Sequence, residues 1–255
     1  MFITPVPMPK TNGAPGRASW CRTSAASTSA LAIETQAALV LHQLARPGAP
    51  FVFGIGTGVM NMRSCVDVYN APGVFLANQA HLDLVKSYGL PSWSYAGHSD
   101  SKVLDEQWSL ELGVSAVLGA LSRATLLHDV GYLESGLQSA LEGLVLGDEM
   151  AGYARALLEP VPVDDEALAQ AEVEAAGPGG NHLGTKMTRT HHRQFWQPSL
   201  LDQNTYDRWL AHDGRTLLER LRARLADLLS AEPAFTLDAA ALTRLDELAA
   251  QAVAS

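Results

Sequence analysis

The sequence predicts an α/β fold in which a leading helix is followed by three strand–helix (βα) units and then by helices alone. Short apolar runs near residues 51, 92 and 124 alternate with longer segments of helical periodicity. Beyond Glu159 no further strand pattern occurs. Strands and helices that alternate in this way form right-handed crossovers and a parallel sheet. The pattern fits an open sheet or part of a (β/α)8 barrel.

The predicted elements follow one another without long gaps. A helix from about Ala30 stops at Pro47 and Gly48, and a second one, "GVFLANQAHLDLVKSYG", stops at Gly89. The third and fourth helices are "LDEQWSLELGVSAVLGALSR" and "QSALEGLVLGDEMAGYARALLE". The three strands are predicted at Pro50–Gly56, Ser92–Ala96 and Ala124–Val130.

Composition divides the chain into three parts. Residues 1–29 are rich in Gly, Pro, Ser and Thr and show no periodicity, which predicts an irregular leader, either a loop or a disordered segment. Residues 30–160 hold the βα units. Residues 161–255 hold a capped surface helix, "PVDDEALAQAEVEAAG", and a Gly-rich loop, "GPGGNHLGTKMTRTHHRQFW", which runs into a polar segment. Two further helices are predicted there, at about 204–230 and 238–253.

Charge and composition argue against several classes of protein. The net charge of -9 disfavours a nucleic-acid partner, because contacts with phosphates need clustered Lys and Arg. The two cysteines, Cys21 and Cys65, form no CxxC pair and no disulfide framework, as expected in a reducing cytoplasm. No apolar run approaches the ~20 residues of a membrane span. The sequence therefore predicts a soluble, cytoplasmic protein without a membrane or nucleic-acid partner.

The loops that follow the predicted strands carry the candidate functional residues. In parallel α/β folds the active face lies at the carboxyl ends of the strands, so these loops are expected to converge on one mouth. The loops are Ile55–Ala71, Gly97–Val103 and Asp129–Leu137. Their charged and polar side chains, with those just beside them, are Asn61, Arg63, Asp67, His98, Asp100, Lys102, Asp105, His128, Asp129, Tyr132 and Glu134.

Aromatic rings stand close to these charges in the sequence. Trp93, Tyr95, Trp108 and Tyr132 are expected to wall a pocket, beside a carboxylate from Asp100 or Glu134. A quaternary ammonium ion is held in this way, since it has no N–H to donate and binds instead to the faces of rings. The alternative is that the rings are ordinary core residues.

The charged residues also have purely structural interpretations. Asp105 or Ser101 can serve as the N-cap of the third helix, and His128 can be a hydrogen-bonded core histidine. Arg63 and Asp67 can pair with each other. The histidines near residue 190 form no HExxH motif, and neighbours on a helix point about 100° apart, which disfavours a metal site.

Four sequence blocks occur in a fixed order between about Ala30 and Leu229. They are "PGAPFVFG", "YGLPSWSYAGHSDSKVLDEQWSLE", "GYLESGLQSALEGLVLGDEM" and "GPGGNHLGTKMTRTHHRQFWQPSLLDQNTYDRW". Together they resemble the trimethylamine methyltransferase (MttB-like) family of corrinoid-dependent methyltransferases. The resemblance implies a TIM-barrel enzyme, which for this chain is a partial (β/α)8 barrel of about three βα units followed by C-terminal helices.

The resemblance also implies an activity and its partners. The enzyme moves a methyl group from a methylated amine or a betaine-like quaternary amine to the Co(I) corrinoid of a carrier protein. The chain is then expected to bind no cofactor and no metal directly, because the partner protein supplies the corrinoid (cobalamin). Co(I) is a strong nucleophile, so the enzyme has mainly to orient the N–CH3 group and exclude water. The expected partners are the corrinoid carrier protein, the small amine and a second copy in a homo-oligomer.

Two departures from the family pattern shape these expectations. The chain resembles only the C-terminal half of longer members, so one expectation is a truncated, inactive enzyme. The alternative is a non-catalytic half-barrel subunit or a pseudogene-like remnant. The trimethylamine enzymes carry pyrrolysine near the region that corresponds to Gly97–Asp105, where this chain has standard residues only. Members without pyrrolysine are associated with quaternary amines such as glycine betaine.

The residues and the resemblance together predict a site of nine side chains. The catalytic residues are predicted to be Asp100, Lys102 and Glu134. The substrate-binding residues are predicted to be Trp93, Tyr95, Asp105, His128, Tyr132 and His182.

Overall fold

A computed structural model describes residues 33–54, 56, 58–232 and 237–254 of the chain. The predicted leader, residues 1–29, lies outside this part. Within it, no helix is both long and apolar enough to cross a bilayer.

Helices dominate the described part of the chain. The first helix, α1, covers 33–45 and ends just before Pro47, as predicted. Nine further α-helices are described after it. They are α2 (Pro72–Ser87), α3 (Glu106–Leu121), α4 (Leu141–Leu158), α5 (Asp165–Leu168), α6 (Gln170–Ala176), α7 (Lys186–His191), α8 (Tyr206–Ala211), α9 (Leu217–Ser230) and α10 (Ala239–Ala254).

The strands are short and form three pairs. Strands β1 (Val59–Asn61) and β2 (Val66–Val68) make an antiparallel hairpin. Strands β3 (Trp93–Tyr95) and β4 (Leu126–His128) are parallel, and β5 (Tyr132–Leu133) pairs antiparallel with β6 (Gln138–Ser139). The β3–β4 pair confirms the predicted α/β class, with parallel strands joined by a helical crossover.

A third segment extends the parallel pair. Phe53 forms a parallel bridge to Ser92, so the neighbours lie in chain order around 53, 93 and 126. The Phe53 N–H donates to the Pro91 carbonyl and the Trp93 N–H to the Phe53 carbonyl, both at 3.1 Å. In residues 50–54 and 56, the described part of the strand predicted at Pro50–Gly56, this one bridge is the strand pairing that is present. The consecutive order is compatible with a barrel, whose closure stays a prediction.

Helices cover one side of these strands. In α3, Gly119 lies so close to β3 that an added Cβ atom would stand 2.7 Å from the Tyr95 carbonyl oxygen. On its other side α3 packs against α4, and α4 packs against α9. The buried core between these helices consists of Trp108, Leu112, Leu133, Val145, Leu146 and Leu221.

Trp108 therefore belongs to the core, and the expectation that it walls a ligand pocket is wrong. Its ring is 2% exposed and packs with Leu112 and Leu221. Helix α3 is apolar on nearly all sides, and a helix of this kind is buried on more than one face. An aromatic residue in its first turn therefore packs in the core.

The C-terminal part differs from the sequence prediction at three places. The helix predicted at about 204–230 is two helices, because Asp213 and Gly214 have positive φ and Thr216 forms a capping box with Glu219 that starts α9. The predicted surface helix is broken between α5 and α6 at Ala169, which has φ 47°. Thr185 caps the short helix α7 inside the segment predicted as a loop.

Candidate functional site

The loop after β3 turns inward and is held by the loop after β4. Gly97 has φ +68°, which lets the chain turn sharply at the end of the strand. His98, Ser99 and Ser101 are then almost fully buried. Three backbone hydrogen bonds join the two loops: Gly131 N–H to the Gly97 carbonyl (2.8 Å), Ser99 N–H to the Tyr132 carbonyl (2.9 Å) and Glu134 N–H to the Ser101 carbonyl (2.9 Å).

Five rings meet beside these loops and are called the aromatic cluster: Tyr69, Trp93, Tyr95, His98 and His128. The ring centroids of Trp93 and His128 are 4.6 Å apart, and those of Tyr95 and His128 are 5.6 Å apart. Tyr69 stacks on Tyr95 at 5.6 Å with an interplanar angle of 22°. His98 meets Tyr95 edge-on at 5.7 Å. The predicted residues Trp93, Tyr95 and His128 are therefore neighbours in space.

Strand register explains why these side chains share a face. Trp93 pairs with Leu126 and Tyr95 with His128, and alternate residues of a strand point to the same side. Ser94, between them, points to the helices, where its Oγ accepts a hydrogen bond of 2.6 Å from Asn78 Nδ2. The side of the sheet away from the helices is thus lined by rings.

A carboxylate stands next to the rings. Asp129 follows β4 directly and has φ 71°, an uncommon backbone conformation that often accompanies functional sites. Its Oδ1 lies 2.5 Å from His128 Nδ1. Its side chain is 12% exposed, so the negative charge is only partly shielded by water. Ring faces and a carboxylate side by side are suited to a cation.

Burial and neighbouring charges keep Tyr69, Tyr95 and His98 neutral. Burial, followed by the charges of Asp67, Asp129 and Asp100, raises the pKa of Tyr69. Burial also raises the pKa of Tyr95, with smaller contributions from its neighbours, and it lowers the pKa of His98. Both phenols are protonated at neutral pH, and His98 is uncharged. The negative charge of the site thus comes from its carboxylates.

Asp100 is enclosed by hydrogen-bond donors. Its Oδ1 accepts from the Tyr69 N–H at 2.9 Å and from Ser135 Oγ at 2.8 Å, and its Oδ2 accepts from the Asn70 N–H at 2.9 Å. The residue is 8% exposed. Asp100 therefore connects all three candidate loops, which the sequence expected to converge.

Glu111 of α3 supports the backbone of the same loop. Its Oε2 accepts from Ser99 Oγ and from the Asp100 N–H, both at 2.8 Å. Its Oε1 accepts from Gln107 Nε2 at 2.9 Å. Two carboxylates thus hold the loop, one from the helix and one from the loop itself.

The other predicted site residues lie at the rim of this arrangement. Lys102 is exposed, and its Nζ donates to the Asp100 carbonyl at 2.8 Å. Asp105 is the N-cap of α3, accepting from the Trp108 N–H and from Ser101 Oγ, both at 2.9 Å. Glu134 has φ 48°, and its Oε2 accepts from Gln138 Nε2 at 2.5 Å.

The Tyr132 and Tyr69 rings both lie next to Gly136, whereas His182 lies in the segment before α7. The Tyr132 ring lies against Gly136 and is partly exposed. The His182 carbonyl accepts a hydrogen bond of 2.6 Å from Thr188 Oγ1 in the segment before α7. Among the residues that the structure describes, no hydrogen bond or ring contact joins His182 to the aromatic cluster.

Five residues of the described site are not among the nine predicted. His98 and Asp129 are predicted only as loop residues, and the sequence analysis assigns no role to Tyr69, Glu111 or Ser135. Tyr69 and Asn70 end the first loop directly before α2, the place where a βα loop approaches its neighbours. That position was the signal available in the sequence.

Two surface depressions, of about 450 Å³ and 410 Å³, lie elsewhere. The first is lined by residues of α5, α6 and α7, including Glu166 and His191, and the second by residues around Ser199 and Arg220. Across the described ranges, no three His, Cys, Asp or Glu side chains are placed to hold a metal ion. The aromatic cluster is the candidate site because of its chemistry and its place at the strand ends.

Comparison with known proteins gives a consistent result. A family profile described as trimethylamine methyltransferase (MTTB) matches residues 14–255. Trimethylamine methyltransferase MttB of Desulfitobacterium hafniense (strain DSM 10664 / DCB-2) is 32% identical over 187 residues, which are 73% of this chain and 38% of the relative. The protein of the same name from Methanosarcina barkeri (strain Fusaro / DSM 804) is 30% identical over 206 residues, 81% of this chain and 42% of the relative.

A relative with a different name matches almost as well. The glycine betaine methyltransferase of Desulfitobacterium hafniense (strain Y51) is 31% identical over 199 residues, 77% of this chain and 41% of the relative. The chain thus spans about two-fifths of the length of these curated relatives.

Proposed function

Since the chain belongs to the trimethylamine methyltransferase family, we propose that it binds a quaternary amine and presents one methyl group to the Co(I) of a corrinoid on a separate carrier protein. The observation that carries the proposal is the aromatic cluster with Asp129 at its edge. Trp93 and the 35%-exposed side chain of His128 offer ring faces, the nearly buried Tyr95 supports them, and Asp129 offers the negative charge. Related proteins bear the names of trimethylamine and glycine betaine methyltransferases, which supports a methylated nitrogen compound as the substrate class.

A quaternary amine suits the cluster better than a protonated one. The four carbon substituents shield the nitrogen charge, so the cation is stabilised by ring faces and by a carboxylate at some distance, without a hydrogen bond. The rings of Trp93 and His128, 4.6 Å apart, are too close to admit a methyl group between them, so the cation lies over the rings and not between this pair. Their faces then set the direction of the N–CH3 bonds.

The proposed transfer needs no nucleophile from the chain. The corrinoid of the carrier protein would supply the nucleophile and take up the methyl group, and the electron pair of the broken N–CH3 bond would stay on the nitrogen of a neutral tertiary amine. The residues have to bind, orient and exclude water. We propose that Trp93 and His128 bind the substrate and that the nearly buried Tyr95, predicted as a substrate-binding residue, supports their rings. The catalytic roles of Lys102 and Glu134, and the substrate-binding roles of Asp105, Tyr132 and His182, stay predictions.

The proposal is tested by measuring the oxidation state of cobalt in a methyl transfer assay. The chain is incubated anaerobically with glycine betaine and cobalamin that has been reduced to Co(I), and the spectrum reports conversion to methyl-Co(III). The expected result is methyl-Co(III) that forms only when both the chain and the betaine are present, with one dimethylglycine for each methyl transferred. Formation at the same rate without the chain, or none with it, contradicts the proposal.

A non-catalytic role as one part of a barrel is the second candidate. Leu126 lies on the same sheet face as Trp93 and is 57% exposed, whereas the inner face of a closed barrel is packed with side chains. Light scattering of the purified chain, alone and with a candidate partner polypeptide, distinguishes the two roles. A stable complex that protects Leu126 and has no methyl transfer activity favours the subunit role.

A further inference from the structure

We propose that Asp100 is a positioning residue, whose carboxylate fixes Tyr69 against Tyr95 from behind the aromatic cluster without contacting the substrate. This role differs from the catalytic role that the sequence predicts for Asp100. Three observations support this role. The Asp100 carboxylate accepts hydrogen bonds from the protein itself, the Asp100 backbone is bonded to α3, and the Tyr69 ring stacks on Tyr95.

The carboxylate is occupied by the protein itself. Oδ1 has two donors, the Tyr69 N–H at 2.9 Å and Ser135 Oγ at 2.8 Å, and Oδ2 has the Asn70 N–H at 2.9 Å. Ser135 Oγ also lies 2.9 Å from the Asp67 carbonyl, so its one proton is shared between two acceptors. Hydrogen bonds to an ionised acceptor are about twice as strong as neutral ones. A buried carboxylate held in this way is unsuited to act as a mobile acid or base.

The backbone of Asp100 is itself fixed from the helix side. Glu111 Oε2 accepts from the Asp100 N–H and from Ser99 Oγ, both at 2.8 Å. Since Glu111 lies within α3, the loop is tied to a rigid element. Through its carboxylate, Asp100 then fixes the backbone of the first loop at Tyr69 and Asn70.

The end of the first loop, Tyr69 and Asn70, follows the β1–β2 hairpin, whose strands are three residues each, and such hairpins are marginally stable by themselves. Its polar contacts with His98 are longer than those with Asp100: Asn70 Nδ2 lies 3.4 Å from the His98 carbonyl oxygen, and His98 Nε2 lies 3.5 Å from the Tyr69 carbonyl oxygen. The Asp100 carboxylate accepts from the backbone of Tyr69, whose ring stacks on Tyr95 at 5.6 Å. A shift of that backbone moves the ring. Asp100 therefore sets one wall of the cluster through Tyr69.

The substitution Asp100→Asn tests this role. The amide has a single acceptor oxygen, and its NH2 group must face either the Tyr69 or the Asn70 N–H, so at least one bond is lost. We expect amide exchange at Tyr69 and Asn70 to rise roughly 10-fold or more, since a hydrogen bond to a charged group contributes about 1.5–3 kcal/mol. The same substitution at the exposed Asp83 of α2 is the control and is expected to leave both amides unchanged.

Kinetics separate positioning from catalysis, and this arm rests on the proposed function. With glycine betaine, Asp100→Asn is expected to raise KM by roughly 10-fold and to change kcat less than about 3-fold, because a displaced Tyr69 weakens binding before it affects the transfer step. A kcat that falls at unchanged KM overturns the proposal in favour of a catalytic Asp100. If the wild-type chain transfers no methyl group, the proposed function fails, and amide exchange still decides the role of Asp100.

If Asp100→Asn does not fold, the substitution Ser135→Ala still tests the role of Asp100. It removes one neutral donor and keeps the Asp100 charge, and it is expected to raise Tyr69 exchange by only about 3-fold. Unchanged Tyr69 exchange in every folded variant overturns the proposal.

Discussion

The carboxylate of Asp129 lies 2.5 Å from Nδ1 of His128, at the point where the chain leaves β4 and enters its loop. This contact fixes the orientation of the His128 ring, which packs on Trp93. It also places a negative charge at the edge of the aromatic cluster. The strand register places His128 beside the other rings, and the contact with His128 places the Asp129 carboxylate next to them.

The close approach of α3 to β3 can be tested at Gly119. An added Cβ atom would stand 2.7 Å from the Tyr95 carbonyl oxygen, closer than real Cβ contacts, and would push the helix from the strand. Gly119→Ala is therefore expected to destabilise the fold by about 1–3 kcal/mol, the usual range for overpacking. Urea unfolding measures this loss.

Gly113 of the same helix is the matched control. Its added Cβ atom would meet only Met150 Cε, at 3.8 Å. Gly113→Ala is expected to stabilise the chain by up to about 1 kcal/mol, because Ala favours a helix over Gly. Equal effects of the two substitutions would show that α3 does not rest on β3 at Gly119.

Asp105 is expected to act through α3 as its N-cap. Hydrogen bonds from the Trp108 N–H and Ser101 Oγ hold the pKa of Asp105 below its usual value, so it stays ionised in mild acid. Asp105→Ala is expected to lower the thermal unfolding midpoint by a few degrees, whereas Asp105→Asn stays close to the wild type because Asn is also a good N-cap. Differential scanning calorimetry checks this. If the two variants lose the same amount, the cap does not account for the effect.

Glu149 of α4 anchors the segment before α8. Its carboxylate accepts from Ser199 Oγ and from the N–H groups of Ser199, Leu200 and Leu201. Burial raises its pKa, but these donors outweigh burial and keep the pKa below its usual value. Glu149→Gln is expected to cost roughly 2 kcal/mol of unfolding free energy, and Ser199→Ala roughly half of that. Urea denaturation that ranks the two variants in the opposite order contradicts the anchor.

His81 of α2 is expected to make stability depend on pH. Burial lowers its pKa from 6.5 to about 4, and Nδ1 contacts Thr35 Oγ1 at 2.7 Å. Between pH 6.5 and about pH 4, the His81 ring is protonated in the unfolded chain but stays neutral in the folded chain. The contribution of the neutral ring is thus complete above about pH 6.5 and is lost as the pH falls towards 4.

A comparison with His81→Gln isolates that contribution. Between pH 7 and pH 4 the wild type is expected to lose up to about 3 kcal/mol more unfolding free energy than the variant, since one pKa unit corresponds to 1.36 kcal/mol. Chemical unfolding at a series of pH values measures the difference. Parallel pH profiles would mean that His81 titrates normally in the folded chain.

The elements of the fold that depend on local sequence patterns can be predicted from the sequence. The helical periodicity and Asp105 locate α3, and the apolar runs locate β3 and β4. The β1–β2 hairpin was predicted as irregular because its segment is polar, although "VDVY" has the alternation of a strand. The Thr216–Glu219 capping box is also a local pattern, since Thr and Glu stand three positions apart directly at the start of α9.

The site contacts were beyond such patterns. Asp100 meets the Tyr69 N–H, 31 positions earlier, and Ser135, 35 positions later. Contacts of this kind depend on how the loops pack in three dimensions, so the sequence indicates that the loops converge without showing which atoms meet. The interpretation of Asp100 as a catalytic group followed from its position at a strand end. Its enclosure by donors becomes visible only in the fold.

The central claim is that the aromatic cluster recognises a quaternary ammonium ion, and calorimetric titration with glycine betaine tests it most directly. The carbon isostere 3,3-dimethylbutanoate has the same shape and the same carboxylate, with an uncharged carbon in place of the quaternary nitrogen. The chain is expected to bind betaine at one site and the isostere roughly 10-fold more weakly, and Trp93→Ala is expected to weaken betaine binding by about 3- to 30-fold. Trp209→Phe in α8 serves as the control and is expected to bind as the wild type does. Equal affinity for betaine and its isostere, or full affinity in Trp93→Ala, contradicts the account.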